Sequence, residues 1–136
     1  MRISVRKIRL AVLAVALIAV GGMFHLASAM AASTAYSDAA FQAAQASGFP
    51  ILVEVHASWC PTCKAQTPII EQLTSQDKLK NMKVFRVDFD AQKAEVRKFG
   101  AQMQSTLIVF KGTSEVGRSV GDTKRDSIAS LLDKGL

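Results

Sequence analysis

The chain has 136 residues, a length suited to one domain. It carries 17 Lys and Arg against 11 Asp and Glu, but Arg2, Arg6, Lys7 and Arg9 precede Leu10 with no acid among them, which leaves 13 basic against 11 acidic residues, or +2, for the remainder. So small an excess, with no basic patch, excludes a nucleic-acid-binding surface.

The chain opens with that basic stretch, followed by an uncharged run from Leu10 to Phe24 built mostly of Ala, Val, Leu and Ile. Two small-residue sites follow, Ala27-Ser28-Ala29 and Ala29-Met30-Ala31. This is the layout of a secretory signal peptide. The apolar run before His25 falls short of the roughly 20 residues of a membrane-spanning helix. Extended through Leu26 to Ala32 it would be long enough, so an uncleaved N-terminal membrane anchor is the alternative. The expected organisation is a signal peptide or anchor over residues 1–31 and one domain over residues 32–136. That domain would be periplasmic or otherwise exported, soluble after cleavage, and touching a membrane only through the N-terminal segment if that stays on. Export places it where a cysteine pair can exist as a disulfide.

Thr34 and Ala35 begin either a short edge strand or an unstructured start. Ser37 is a plausible N-cap, with Asp38 in the first turn, for an Ala-rich helix through Ala46 that Gly48 ends. Phe49-Pro50 connects to an apolar run, Ile51 to Ala57, that reads as a buried strand. Ala65 to Leu79 reads as a helix, kinked by Pro68 or split there into two. Val84 to Asp90 alternates as a strand, and Gln92 to Phe99 is a helix closed by Gly100. Thr106 to Phe110 is a β-branched and aromatic strand. Gly112-Thr113-Ser114 turns the chain, Glu115 to Val120 returns as a strand, and Gly121-Asp122 breaks it. Thr123 to Lys134 is an amphipathic helix with Ile128, Leu131 and Leu132 on one face. Strand-helix-strand units predict parallel neighbours, and the late hairpin adds an antiparallel edge, giving an α/β fold with a central mixed sheet flanked by helices.

Between the first long strand and its helix lies Trp59-Cys60-Pro61-Thr62-Cys63-Lys64, which holds the only two cysteines. A Cys-x-x-Cys at a strand-to-helix junction marks a redox site. Cys60 would sit at the helix N-terminus, where free backbone N–H groups and the helix dipole stabilise a thiolate. Pro61 would occupy the first turn, where its missing N–H costs nothing. Cys63 lies one turn on, within reach of Cys60. Cys60 is therefore the expected nucleophile and Cys63 the resolving thiol. A purely structural disulfide across two residues would stabilise weakly. A closed zinc site would need two further ligands, and His25 and His56 are not paired.

Ile51 to Lys64, with Pro68, Val87-Asp88-Phe89-Asp90, Phe99-Gly100, Thr106 to Lys111 and Val120-Gly121, resembles the thioredoxin family across essentially all of residues 32–136. The resemblance implies the thioredoxin fold and assigns residue roles. Glu54 matches a buried acid that moves the proton of the second thiol, and burial should raise its pKa into a range useful for a general base. A solvated Glu54 on an edge strand is the alternative. Arg86 stands where a lysine often accompanies that acid, and its fixed charge would tend to lower the Glu54 pKa; otherwise it is an ordinary solvated residue. Trp59 would shield the thiols and offer an apolar docking surface. Trp59, Pro61, Thr62 and the Gln104-Ser105-Thr106 loop would contact substrate.

Three departures stand out. Pro61-Thr62 replaces the common Gly-Pro, so the family's redox potential does not carry over. His56 stands where a second tryptophan is usual. It would be a partly buried imidazole satisfied by one hydrogen bond, or else a proton partner or positive charge near the thiols. Ser105 replaces a nearly universal cis-proline. A non-proline cis bond costs about 2.5–4 kcal/mol, so the Gln104–Ser105 bond is expected trans. Ser105 also brings an N–H and a hydroxyl near the thiols, and removes a steric block to metal binding.

The expected function is a thiol-disulfide oxidoreductase, acting on protein substrates with disulfides or thiols and needing no cofactor beyond the Cys60–Cys63 pair. The expected direction is reductive, which implies a membrane thiol-electron transporter as donor. The alternatives are a disulfide-forming oxidase and a metal-binding module on the two cysteines, alone or across two chains, with Met103 the only other soft side chain nearby.

Overall fold

The computed structural model describes residues 32–136. The signal peptide or anchor expected over residues 1–31 lies outside them. Among the described residues no helix is long and apolar enough to cross a membrane.

Nine elements follow in order: β1 (Thr34–Ala35), α1 (Asp38–Ala46), β2 (Pro50–His56), α2 (Pro61–Thr74), β3 (Lys83–Asp88), α3 (Lys93–Lys98), β4 (Thr106–Lys111), β5 (Ser114–Val120) and α4 (Arg125–Asp133). They form one five-stranded sheet in the order β1-β3-β2-β4-β5. β1, β3 and β2 run parallel, while β4 and β5 are antiparallel to their neighbours. The mixed sheet expected from the element order is present.

β2 is central, and this explains its composition. A strand covered on both faces is apolar throughout rather than alternating. Its odd residues Ile51, Val53 and Val55 join Phe85, Val87, Ile108 and Phe110 beneath α1 and α3, where Phe99 packs edge-on against Tyr36 and Phe41. Its even residue Leu52 joins Leu107 and Val109 beneath α2 and α4, against Ile70, Leu73, Ile128, Leu131 and Leu132. Glu54 and His56 continue the even series toward the end of the strand where α2 begins.

Element bounds depart from the sequence reading in instructive ways. Pro50 is not a connector but the first residue of β2, a strand position that proline tolerates. α2 begins at Pro61, because Cys60 caps it, and runs unbroken through Pro68. It stops at Thr74 rather than Leu79. Thr74 Oγ1 donates back to Ile70 O at 2.8 Å, a bond that competes with the helix ladder. Leu79 is nonetheless fully buried, in the turn that follows. α3 is one residue shorter at each end than the expected Gln92 to Phe99, with Gln92 and Phe99 as its caps. Gly100, at φ 60, lets its own N–H reach Arg97 O and that of Ala101 reach Val96 O, a Schellman closure that launches the loop to β4.

Candidate active site

The site forms where β2 hands over to α2. Cys60 is the N-cap of α2, and its sulfur accepts the backbone N–H of Cys63 at 3.1 Å. Pro61 fills the first turn. Both cysteines are free thiols and both are 2% exposed. Burial by itself raises a thiol pKa. At Cys60 it is outweighed by the Cys63 thiol, the backbone N–H groups of Cys63 and Thr62 and the Ser105 hydroxyl, which hold the group below the ordinary thiol range. Cys63 moves the other way. Burial pushes it up first, and its hydrogen bond to Cys60 and the charge there add to that, against backbone N–H groups of Ala57 and Ser105. One thiol is thus poised to attack and the other to stay protonated.

Glu54 is 4% exposed on the face of β2 that α2 covers, so the solvated-edge alternative does not hold. Burial raises its carboxyl above the ordinary value, and the Arg86 charge, the Ser33 hydroxyl and the Arg86 hydrogen bond only partly reverse this. Arg86 faces Glu54 across the β2–β3 ladder and donates to Oε1 from Nε at 3.3 Å and from Nη2 at 3.1 Å. Arg86 Nη2 also lies 3.5 Å from Thr67 Oγ1, which donates to Cys63 O at 3.0 Å. The acid, its partner and the first turn of α2 are therefore tied together.

His56 ends β2 and lines a cavity of about 240 Å³ with Ser33, Ala35, Arg86, Asp88 and Gln92. Burial and the nearby Arg86 lower its pKa, against the pull of Asp88. These surroundings favour the neutral imidazole over a positive charge beside the thiols.

Trp59 is 56% exposed beside the cysteines, with Pro61 exposed and Thr62 half-buried next to it. Its indole N–H donates to Asp90 Oδ2 at 2.7 Å. Sequence reasoning noted Asp90 only as part of a strand end. Asp90 lies in the turn after β3, 31 residues from Trp59, and no local signal pairs them. Gln66 was also missed, although it lies three residues beyond Cys63 and so shares its helix face. It is buried, and its Nε2 donates to Ser105 O at 3.2 Å and Asp122 O at 2.8 Å.

The loop before β4 brings Ser105 to the thiols, with Gln104 before it and Thr106 after it at the start of β4. No cis peptide bond occurs among the described residues, and Ser105 adopts φ 57. Gln104 is half-buried, whereas Ser105 and Thr106 are buried. No three His, Cys, Asp or Glu side chains among the described residues gather as a metal shell. A metal on Cys60 and Cys63 would therefore draw its other ligands from another source, such as a second chain.

The thioredoxin family model matches residues 32–134. A thioredoxin of Chlamydia muridarum is 38% identical over 84 residues, covering 62% of this chain and 80% of its own length. Thioredoxin 1 of Synechococcus elongatus is 31% identical over 108 residues, covering 79% of this chain and all of its own. Among solved structures, Trxlp from Edwardsiella tarda superposes with a TM-score of 0.70 at 44% identity, covering 73% of this chain and 98% of its own.

Proposed function

The chain belongs to the thioredoxin family of protein thiol-disulfide oxidoreductases, and we propose that it reduces disulfides of proteins outside the cytoplasm. The observation that carries this reading is the divergence of the two thiols. The donors at the N-cap of α2 favour the Cys60 thiolate, while burial and the neighbouring Cys60 favour the protonated form of Cys63 one turn on.

The reaction follows from that divergence. Cys60 thiolate attacks one sulfur of a substrate disulfide. A Cys60–substrate disulfide forms, and the second substrate sulfur leaves as a thiolate that takes a proton from solvent. Glu54, as carboxylate, accepts the Cys63 proton by way of water. Cys63 thiolate then attacks the Cys60 sulfur, the substrate's remaining sulfur leaves as a thiolate that takes up a proton from solvent as Glu54 returns its own, and a Cys60–Cys63 disulfide is left. The substrate gains two electrons and the protein loses two. Trp59, Pro61, Thr62 and the Gln104-Ser105-Thr106 loop surround the thiols and would bear on the substrate.

Export is supported by the basic start, the apolar run from Leu10 to Phe24 and the small-residue sites of residues 1–31. A reductant so placed needs a donor of two electrons, and a membrane thiol transporter is the class of partner that supplies them. The reductive direction is supported by the resemblance of the Ile51 to Lys64 block to reductases.

The test is the reduction potential of the Cys60–Cys63 couple against glutathione, together with insulin-disulfide reduction. A potential near about −270 mV supports the reductant. A value near about −120 mV reverses the direction and makes the protein an oxidase. Replacing Cys60 by Ser abolishes insulin reduction; full activity in that variant refutes the mechanism.

A further inference from the structure

Gln66 is a buried amide on the inner face of α2. It is 3% exposed, and it shares that face with Cys63 one turn before it and with Ile70 and Leu73 beyond it. A buried amide costs free energy unless its polar atoms are bonded. Gln66 Nε2 donates to Ser105 O at 3.2 Å and to Asp122 O at 2.8 Å. Both partners are carbonyl oxygens, which cannot donate, so the amide meets them with its nitrogen and commits both of its hydrogens.

The two carbonyls belong to different segments. Ser105 precedes β4, and Asp122 follows β5. Each lies at a left-handed stretch of backbone, with Ser105 itself at φ 57 and Gly121 at φ 70. Glycine adopts that conformation freely and serine does not. A serine held there persists where its surroundings over-determine it. The Ser105 N–H donates to Val55 O at 2.8 Å, and its carbonyl accepts from Gly121 N at 3.0 Å as well as from Gln66. The two backbone bonds tie the loop to β2 and to the end of β5. The bond from Gln66 ties it to α2, the helix that Cys60 caps and that carries Cys63.

The docking surface proposed above has two halves. Trp59, Pro61 and Thr62 lie at the start of α2, whereas Gln104, Ser105 and Thr106 arrive from the far side of the sheet's next strand. A protein disulfide must meet both halves at once, and misplacing either one lowers the rate. A surface that is already set has less to order on binding, and so binds more tightly. We infer that Gln66 is a positioning residue for the reaction: its amide locks the Ser105 loop and the turn after β5 to α2, so that both halves of the docking surface are in register before a substrate arrives. Gln66 acts through Ser105 and Asp122 and takes no part in the chemistry of the thiols. This deepens the proposed function and rests on it.

The test uses two variants of the full chain. Gln66→Met keeps the length of the side chain and removes both donors. Gln66→Asn keeps the amide but withdraws it by one methylene, and it carries the test if the methionine variant does not fold. The expected KM for insulin is about fivefold higher, the effect of one net hydrogen bond, with kcat within about twofold of wild type. The rate with dithionitrobenzoate, a small disulfide that does not span both halves, should also stay within about twofold. Amide hydrogen exchange of the reduced protein should speed up about tenfold at Ser105 and Gly121 and keep its wild-type rates along β2 and β3. An unchanged KM for insulin overturns the inference. So does an equal loss toward dithionitrobenzoate, which would place the effect on the thiols. Faster exchange throughout the sheet also overturns it, because Gln66 would then support the fold and not the loop. If the wild-type chain does not reduce insulin while exchange rises at Ser105 and Gly121 alone, the proposed function falls and the lock on the loop stands.

Discussion

At the scale of single residues, the site works by holding like groups in unlike environments. Two thiols three residues apart are separated by what donates to each, and a carboxyl is raised above its ordinary pKa by burial against the pull of Arg86. Glu54 is the residue whose part in the chemistry is most easily isolated. Replacing it by Gln keeps the shape and removes the base. The first attack by Cys60 needs no such base, so the rate of Cys60 alkylation at pH 7 should stay within about twofold of wild type. Resolution of the mixed disulfide should slow about 100-fold, the lower range for a lost general base. Single-turnover trapping of the Cys60–substrate adduct would show it accumulating. An adduct that turns over at the wild-type rate would remove Glu54 from the mechanism. Asp90 offers a second check. Asp90→Ala frees the Trp59 indole from its 2.7 Å bond. The expected outcome is a raised KM for protein disulfides with kcat little changed, since the role proposed for Trp59 is docking and not the thiols' protonation. Neither Asp90 nor the conformation of Ser105 was legible in the sequence. Both are set by partners remote along the chain: Trp59 for one, and Val55, Gly121 and Gln66 for the other.

At the scale of elements, what could be read from sequence was what is local. The N-cap Ser37 and the end of α1 at Ala46 fell where capping chemistry places them, and Ser37 Oγ accepts from Ala40 N. The hairpin at Gly112 and the apolar face of α4 were equally plain, because turn residues and a 3.6-residue period are written in short stretches. The helical pattern of α2 was read from Ala65 to Leu79, starting four residues late although Cys60 had been placed at the helix N-terminus, and running five residues past its end at Thr74. Its start is fixed by the Cys60 cap, and the period of apolar residues carried on to Leu79 although the helix did not. Leu79 shows why a periodic pattern misleads at a boundary: it belongs to the core from within a turn. Its N–H bonds to Gln76 O and its carbonyl accepts from Met82 N, and the side chain packs with Leu73, Met82 and Val84 beneath the sheet. Leu79→Ala should therefore cost about 3 kcal/mol of unfolding free energy, the range for truncating a buried leucine. Lys80→Ala, one residue on and exposed, should change it by less than about 0.5 kcal/mol. Urea unfolding of both variants gives the comparison. Equal small effects would mean that the turn is not part of the folded core.

At the scale of the whole molecule, the order of strands was the part least legible from residues alone. Alternating elements predict parallel neighbours, but they do not say that two-residue β1 pairs with β3 at the sheet edge, nor that Tyr36 joins an aromatic cluster with Phe41, Phe85 and Phe99. The resemblance supplied the fold, and the strand order came from the structure. The topology has a thermodynamic consequence. It puts Glu54 in the middle strand beneath a helix, so the acid proposed to serve the thiols is taken from water when the chain folds. Its folded pKa is raised above the unfolded value. A group raised in this way favours the folded state most when protonated in both states, at pH below the ordinary glutamate value. That contribution is lost as pH rises through the higher folded pKa. Glu54→Gln cannot ionise and loses nothing over the same interval. The variant should therefore gain stability relative to wild type as pH climbs from about 4 through the raised Glu54 pKa, and the difference should level off above it. Exposed carboxyls with lowered pKa, such as Asp88, held down by the N–H groups of Ala91 and Asp90, act at lower pH and in the opposite sense. They are common to both proteins and cancel in the difference. Melting temperatures of the two reduced proteins, measured in parallel from pH 4 to pH 9, decide the matter. A constant difference across that range would mean that Glu54 is ionised in the folded protein throughout, and that Arg86 offsets its burial completely.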